Sequence, residues 1–134
     1  MLRDWSFHHI GLACSSIASE QKTWQSLGYS LASPIYHDSN QGIACCFLEG
    51  GGPRLELIED LPGRQTVSPW IKRGVKFYHY AYEVPHFGDA IAHLKANRAM
   101  EITRPMPATA FQGRLITFYL LANRALVELI EGAS

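Results

Sequence analysis

Along the chain the apolar positions switch between two spacings, and the order of the switches occurs twice. Phe7 to Cys14 and Phe77 to Val84 are short, rich in aromatic and branched residues, and read as strands. A helical spacing follows each. Ile17, Trp24 and Leu27 fall on one face of a segment stopped by Gly28, and Phe87, Ile91 and Leu94 recur at i, i+4 and i+7 before Asn97. Three more strands then close each half. They are predicted at about 29–36, 43–49 and 54–59 in the first half, with Gly50-Gly51-Gly52-Pro53 as a hairpin turn. In the second half they are predicted at about 100–104, 114–121 and 125–131, with Ala122-Asn123-Arg124 as the turn. The segment 68–74 reads as a short helical connector.

The two halves are copies of one pattern. Leu55-Glu56-Leu57-Ile58-Glu59 matches Val127-Glu128-Leu129-Ile130-Glu131, an offset of 72 from Glu56 to Glu128. The strand around His9 matches the strand around His79 at an offset of 70, and Gly42 with Phe47 matches Gly113 with Phe118 at 71. Landmarks in the same order with such similar offsets identify a duplicated module. The expected architecture is α+β: two tandem βαβββ modules forming a curved, mixed, mainly antiparallel sheet. One domain should span 1–134, with module 1 at about 5–61, a connector at 62–75 and module 2 at about 76–132. The helices should pack on the outer face through Trp24 and Leu27, and through Phe87, Ile91 and Leu94.

Composition narrows the classes. With 134 residues, 47% hydrophobic and 18% charged, the chain can bury a real core, so disorder is excluded as its main state. Twelve basic against twelve acidic residues give net charge zero, so no global field favours nucleic acid. No apolar run approaches the roughly 20 residues of a bilayer helix, and Met1 to Trp5 lacks a signal-peptide core; a soluble cytoplasmic protein is expected. Cys14, Cys45 and Cys46 lack disulfide or zinc-finger spacing and read as buried free thiols.

Strand alternation decides which side chains share a face. His9 lies with Gly11 and Ala13, and His79 with Ala81 and Glu83, so each histidine has a very small neighbour two residues on. Glu56 and Glu128 sit among leucines, valine and isoleucine, where a carboxylate is hard to bury without a partner. A single histidine beside an apolar strand is ordinarily a core residue. One His and one Glu placed twice by a repeat form a donor set suited to a divalent ion such as Mn, Co, Ni or Zn. His8 should face away from His9, and Glu59 and Glu131 read as solvated residues at strand ends. His37, His86 and His93 have no counterpart in the other copy and read as surface residues.

These residues resemble the vicinal oxygen chelate superfamily, which contains glyoxalase I, methylmalonyl-CoA epimerase, extradiol dioxygenases and bleomycin-resistance proteins. The motifs are Phe-His-His-Ile-Gly-Leu-Ala at 7–13, Tyr-His-Tyr-Ala-Tyr-Glu-Val at 78–84, and Leu-Glu-Leu-Ile-Glu and Val-Glu-Leu-Ile-Glu around Glu56 and Glu128. The chain looks most like the epimerase, through Ser68-Pro69-Trp70-Ile71, the His79 strand and the Gly113 strand. The resemblance implies the glyoxalase-like fold. It also implies a divalent metal ion (Co, Ni, Mn or Zn) on His9, Glu56, His79 and Glu128, with Glu128 or Glu56 as catalytic base. Proton transfer beside a carbonyl whose vicinal oxygens are chelated is the implied chemistry, making the chain an isomerase, epimerase or lyase. The substrate would be a small molecule, an acyl-CoA or other thioester being one class. The alternative is a binding protein of the same fold without turnover. Similar epimerases carry a Glu two residues before the position of Gly42; here it is Asn40, whose amide takes no proton at neutral pH. Phe47, Phe118, Cys46 and Ile116 are expected to wall the pocket. A homodimer is expected, because the edges of such a sheet need cover.

Overall fold

The computed structural model describes residues 4–133. Among these residues ten strands and three α-helices run in the order β1 (Ser6–Ala13), α1 (Ile17–Gln25), β2 (Ser30–Leu31), β3 (Tyr36–Asp38), β4 (Ile43–Glu49), β5 (Leu55–Asp60), α2 (Ser68–Lys72), β6 (Phe77–Val84), α3 (Phe87–Ala96), β7 (Met100–Glu101), β8 (Met106–Pro107), β9 (Leu115–Leu120) and β10 (Leu126–Glu131). The strands pair as an open, mixed sheet, the glyoxalase-like pattern. Two compact units emerge: residues 9–78, and residues 4–8 with 79–133.

Within residues 9–78 the strand order is β2-β4-β5-β1, with β3 also on β4. β4 runs antiparallel to β5, and β5 parallel to β1. Leu12, Cys46, Leu48, Leu55 and Leu57 turn to one side and pack with Ile17 of α1. Cys46 thus belongs to this core and not to the face that carries Phe47, which corrects one expected pocket wall. In the other unit the order is β6-β10-β9-β7, with β8 on β9. Val84, Tyr119, Val127 and Leu129 pack with Ala90 and Leu94 of α3.

Helix starts follow from local chemistry. Ser16 caps α1 by accepting from Ser19 N at 3.3 Å, and the Glu59 carboxylate accepts from Ile17 N at 2.7 Å. Glu59 is therefore half-buried and occupied by a helix N-terminus, and Glu131 accepts from Leu115 N at 3.0 Å. Neither is a solvated strand-end residue. Leu27 also departs from expectation. The helix ends at Gln25, where the Ser26 hydroxyl donates to Thr23 O, and Leu27 lands in the following turn, 62% exposed. Trp24 alone of that pair packs on the core.

The second strand of each half is broken in two, by Pro34 in one copy and Pro105 in the other, since proline cannot donate to a ladder. The break is stitched identically in both. Ala32 N donates to Phe47 O (2.8 Å) and Phe47 N to the Ser33 hydroxyl (2.9 Å). Ile102 N donates to Phe118 O (2.9 Å) and Phe118 N to the Thr103 hydroxyl (3.0 Å). Gly42 and Gly113 both adopt positive φ, 73° and 83°, in the turns that lead into β4 and β9. No helix among the described residues is long and apolar enough to cross a membrane.

Candidate functional site

Parallel pairing sets each histidine beside its glutamate. In residues 9–78, Gly11 of β1 is the register partner of Glu56 in β5. In the other unit Ala81 of β6 is the register partner of Glu128 in β10. The small residue two positions after each histidine therefore makes room for a carboxylate on the neighbouring strand. His9 Nε2 lies 2.9 Å from Glu56 Oε1, and His79 Nε2 lies 3.1 Å from Glu128 Oε1. All four side chains are buried, none more than 6% exposed.

A phenylalanine flanks each pair from the other side. Phe47 is the register partner of Glu56, and its ring meets the His9 ring edge-on at 5.4 Å between centroids. Phe118 is the register partner of Glu128 and meets His79 edge-on at 5.1 Å. The repeat thus preserves a constellation of His, Glu, Phe and one small residue, with the His and Glu side chains buried. Ile116, two residues before Phe118, is fully buried on the face of β9 that carries Phe118.

Two tests bear on whether these pairs suit a metal. Chemically, two imidazole nitrogens and two carboxylates are a donor set able to hold a metal ion. Geometrically, two ligands each about 2.1 Å from a shared ion and at right angles lie about 3.0 Å apart, which the separations within both pairs match. A buried carboxylate also needs compensation, and a divalent ion would supply the positive charge.

The remaining candidates are placed as follows. His8 is half-buried against the Phe111 ring, edge-on at 5.2 Å. His37, His86 and His93 are exposed. Asn40 is exposed in the turn between β3 and β4, which is closed by Gly42 N donating to Asp38 O at 2.8 Å. Burial pushes the thiols of Cys14 and Cys46 up, to about 12 and about 11; the nearby Glu56 carboxylate adds to the rise at Cys46. Both stay protonated at neutral pH and are poor nucleophiles or ligands.

Sequence reasoning missed the pairing of Arg114 with Glu83. The signal was available as a failure of the repeat: Arg114 stands opposite Ile43 in the duplication, and Glu83 opposite Ala13.

Comparison with known proteins follows the same lines. A family model described as the glyoxalase/bleomycin resistance protein/dioxygenase superfamily matches residues 8–118. Among solved structures, a hypothetical protein from Bacillus halodurans is similar with a TM-score of 0.82 and 28% identity, covering 97% of this chain and 96% of that one. Methylmalonyl-CoA epimerase from Mycobacterium tuberculosis is similar with a TM-score of 0.78 and 21% identity, covering 96% and 89%. A Streptomyces coelicolor methylmalonyl-CoA epimerase variant in complex with 2-nitronate-propionyl-CoA has a TM-score of 0.74 and 19% identity, covering 96% and 98%. At such identities the two epimerases speak for the fold. Among curated proteins there is no match.

Proposed function

Because the chain belongs to the glyoxalase/bleomycin resistance protein/dioxygenase superfamily, we propose that it is a metal-dependent isomerase, epimerase or lyase. In this reading His9, Glu56, His79 and Glu128 together hold one divalent ion, and a small carbonyl substrate is chelated through two neighbouring oxygens. The observation that carries it is the duplicated, buried His–Glu pair, kept in both copies. When bound, the ion supplies Lewis acidity toward the substrate's oxygens.

The chain's own residues supply the rest. His9 and His79 hold through Nε2, the atoms that face the carboxylates. Phe47 and Phe118 cover the histidines and keep water from the reacting carbon. Glu128 or Glu56 takes the proton, because the amide of Asn40, where the epimerase base would stand, cannot. A carboxylate at the reacting carbon typically contributes a hundredfold to ten-thousandfold in rate. An acyl-CoA or other thioester remains a candidate substrate class, carried by the likeness to the epimerases.

Two assays on metal-loaded protein test this. Exchange of pyruvate methyl protons into deuterated water, followed by NMR, should run faster than with the same ion in buffer, and Glu128→Gln should slow it at least about a hundredfold. Racemisation of methylmalonyl-CoA should be slight, since Asn40 is no base. Pyruvate exchange no faster than with the ion alone, together with absent racemisation, would favour a binder of the same fold.

A further inference from the structure

The two units keep the same His, Glu, Phe and small residue, yet they differ sharply at one corner. Arg114, Ile116 and Phe118 alternate onto one face, and Phe118 on that face meets His79. His79, Ala81 and Glu83 share the same face of β6. Arg114 and Glu83 close it at the far end. Arg114 Nη1 pairs with Glu83 Oε2 and donates to Glu131 O at 3.0 Å, Nε donates to Phe111 O at 3.3 Å, and the guanidinium lies over the Phe111 ring at 5.8 Å. These contacts occupy Nε and Nη1. Nη2 is the nitrogen left to donate to a ligand, on a side chain that is 25% exposed.

The other copy provides an internal control. Ile43 follows Gly42 as Arg114 follows Gly113, and Ala13 follows His9 at the distance by which Glu83 follows His79. Ile43 and Ala13 are buried at 2% and 1% exposure. The fold is therefore satisfied at this corner by two apolar side chains, and the ion pair answers some other need. A guanidinium fixed by three acceptors and a ring has little rotamer freedom left to lose on binding, so its remaining donor is well prepared for an anion.

We propose that Arg114 recognises a carboxylate carried by the substrate at the end remote from the chelated oxygens, a specificity that rests on the chelation reading above. A carboxylate fits better than a phosphate, because the adjacent Glu83 leaves the pair neutral and repels a dianion more strongly. Four residue steps along extended backbone separate Arg114 from Phe118, roughly 13 Å at about 3.3 Å each. The substrate class is thus an elongated acid, with vicinal oxygens at one end and a carboxylate at the other.

The test uses suberic acid monohydroxamate and its terminal methyl ester, titrated calorimetrically into nickel-loaded and metal-free full-length protein. The acid should bind the loaded protein about ten- to a hundredfold more tightly than the ester. Arg114→Ala should erase that preference, and Arg114→Lys should keep part of it. The double variant Arg114→Ile with Glu83→Ala, which installs the other unit's own residues, should fold and show no preference. Equal affinities for acid and ester in the unaltered protein, or a preference that survives in the double variant, would overturn the role of Arg114. Binding of both compounds that ignores the metal would instead overturn the chelation reading, and the acid-to-ester ratio would still decide on Arg114. Binding of neither would overturn both.

Discussion

Replacing His79 by leucine in metal-free protein should be costly, and replacing Glu128 as well should undo most of the cost. The two groups lie 3.1 Å apart with side-chain exposures of 1% and 3%. Leucine at 79 leaves the Glu128 carboxylate buried between Ala81 and Phe118 with its imidazole gone. Stranding a buried polar group by removing its partner costs about 1–3 kcal/mol, whereas replacing both by apolar residues can be nearly neutral. At about 2.1 cal/mol/K per residue, a chain of 134 residues has an unfolding entropy of about 0.28 kcal/mol/K. The single variants His79→Leu and Glu128→Leu should therefore melt about 4–11 °C lower than the unaltered protein, and the double variant within a few degrees of it. Circular dichroism melts and urea unfolding in the presence of a chelator measure this. A double variant whose loss equals the sum of the singles, or singles that cost less than about 1 kcal/mol, would refute the claim that the pair is buried and coupled.

Four further outcomes are expected. The Cys14 and Cys46 thiols, raised from an ordinary 9.0 to about 12 and about 11, should resist a thiol reagent in the native protein at pH 8 and react on unfolding. Because folding raises these values, the stabilisation is whole below pH 9 and should drain away as pH climbs through about 11 to 12, visible as a falling urea midpoint. Gly42→Ala and Gly113→Ala should each lower the urea midpoint, because both positions need positive φ; at 42 the added Cβ would also displace the exposed Arg64 side chain from Ser39 O, whereas nothing lies within 4 Å at 113. Sedimentation should report a homodimer, and a monomer at all working concentrations would contradict that expectation.

Much of the fold was legible because it is written twice. Aligned offsets of 70 to 72 located β1, β4, β5, β6, β9 and β10, and they selected His9, Glu56, His79 and Glu128 from the other histidines and acids. What escaped was chemistry that depends on neighbours in space. Leu27 fits the helical spacing, but Ser26 and the turn after it end the helix first. Glu59 and Glu131 lie at strand ends in sequence, yet backbone donors at Ile17 and Leu115 occupy them. The broken second strands follow from Pro34 and Pro105, with Ser33 and Thr103 stitching the gap. Arg114 was hidden because a repeat draws attention to what is conserved between copies, and its meaning lies in the difference.

In the proposed function, four residues from two copies serve one ion. Metal content per chain, measured by mass spectrometry on protein purified without chelator and then saturated with cobalt or nickel, tests this most directly. One tightly held ion per chain is expected, lost when either His9 or His79 is replaced by alanine. Two ions per chain, each lost independently with its own histidine, or a stoichiometry indifferent to both replacements, would contradict it.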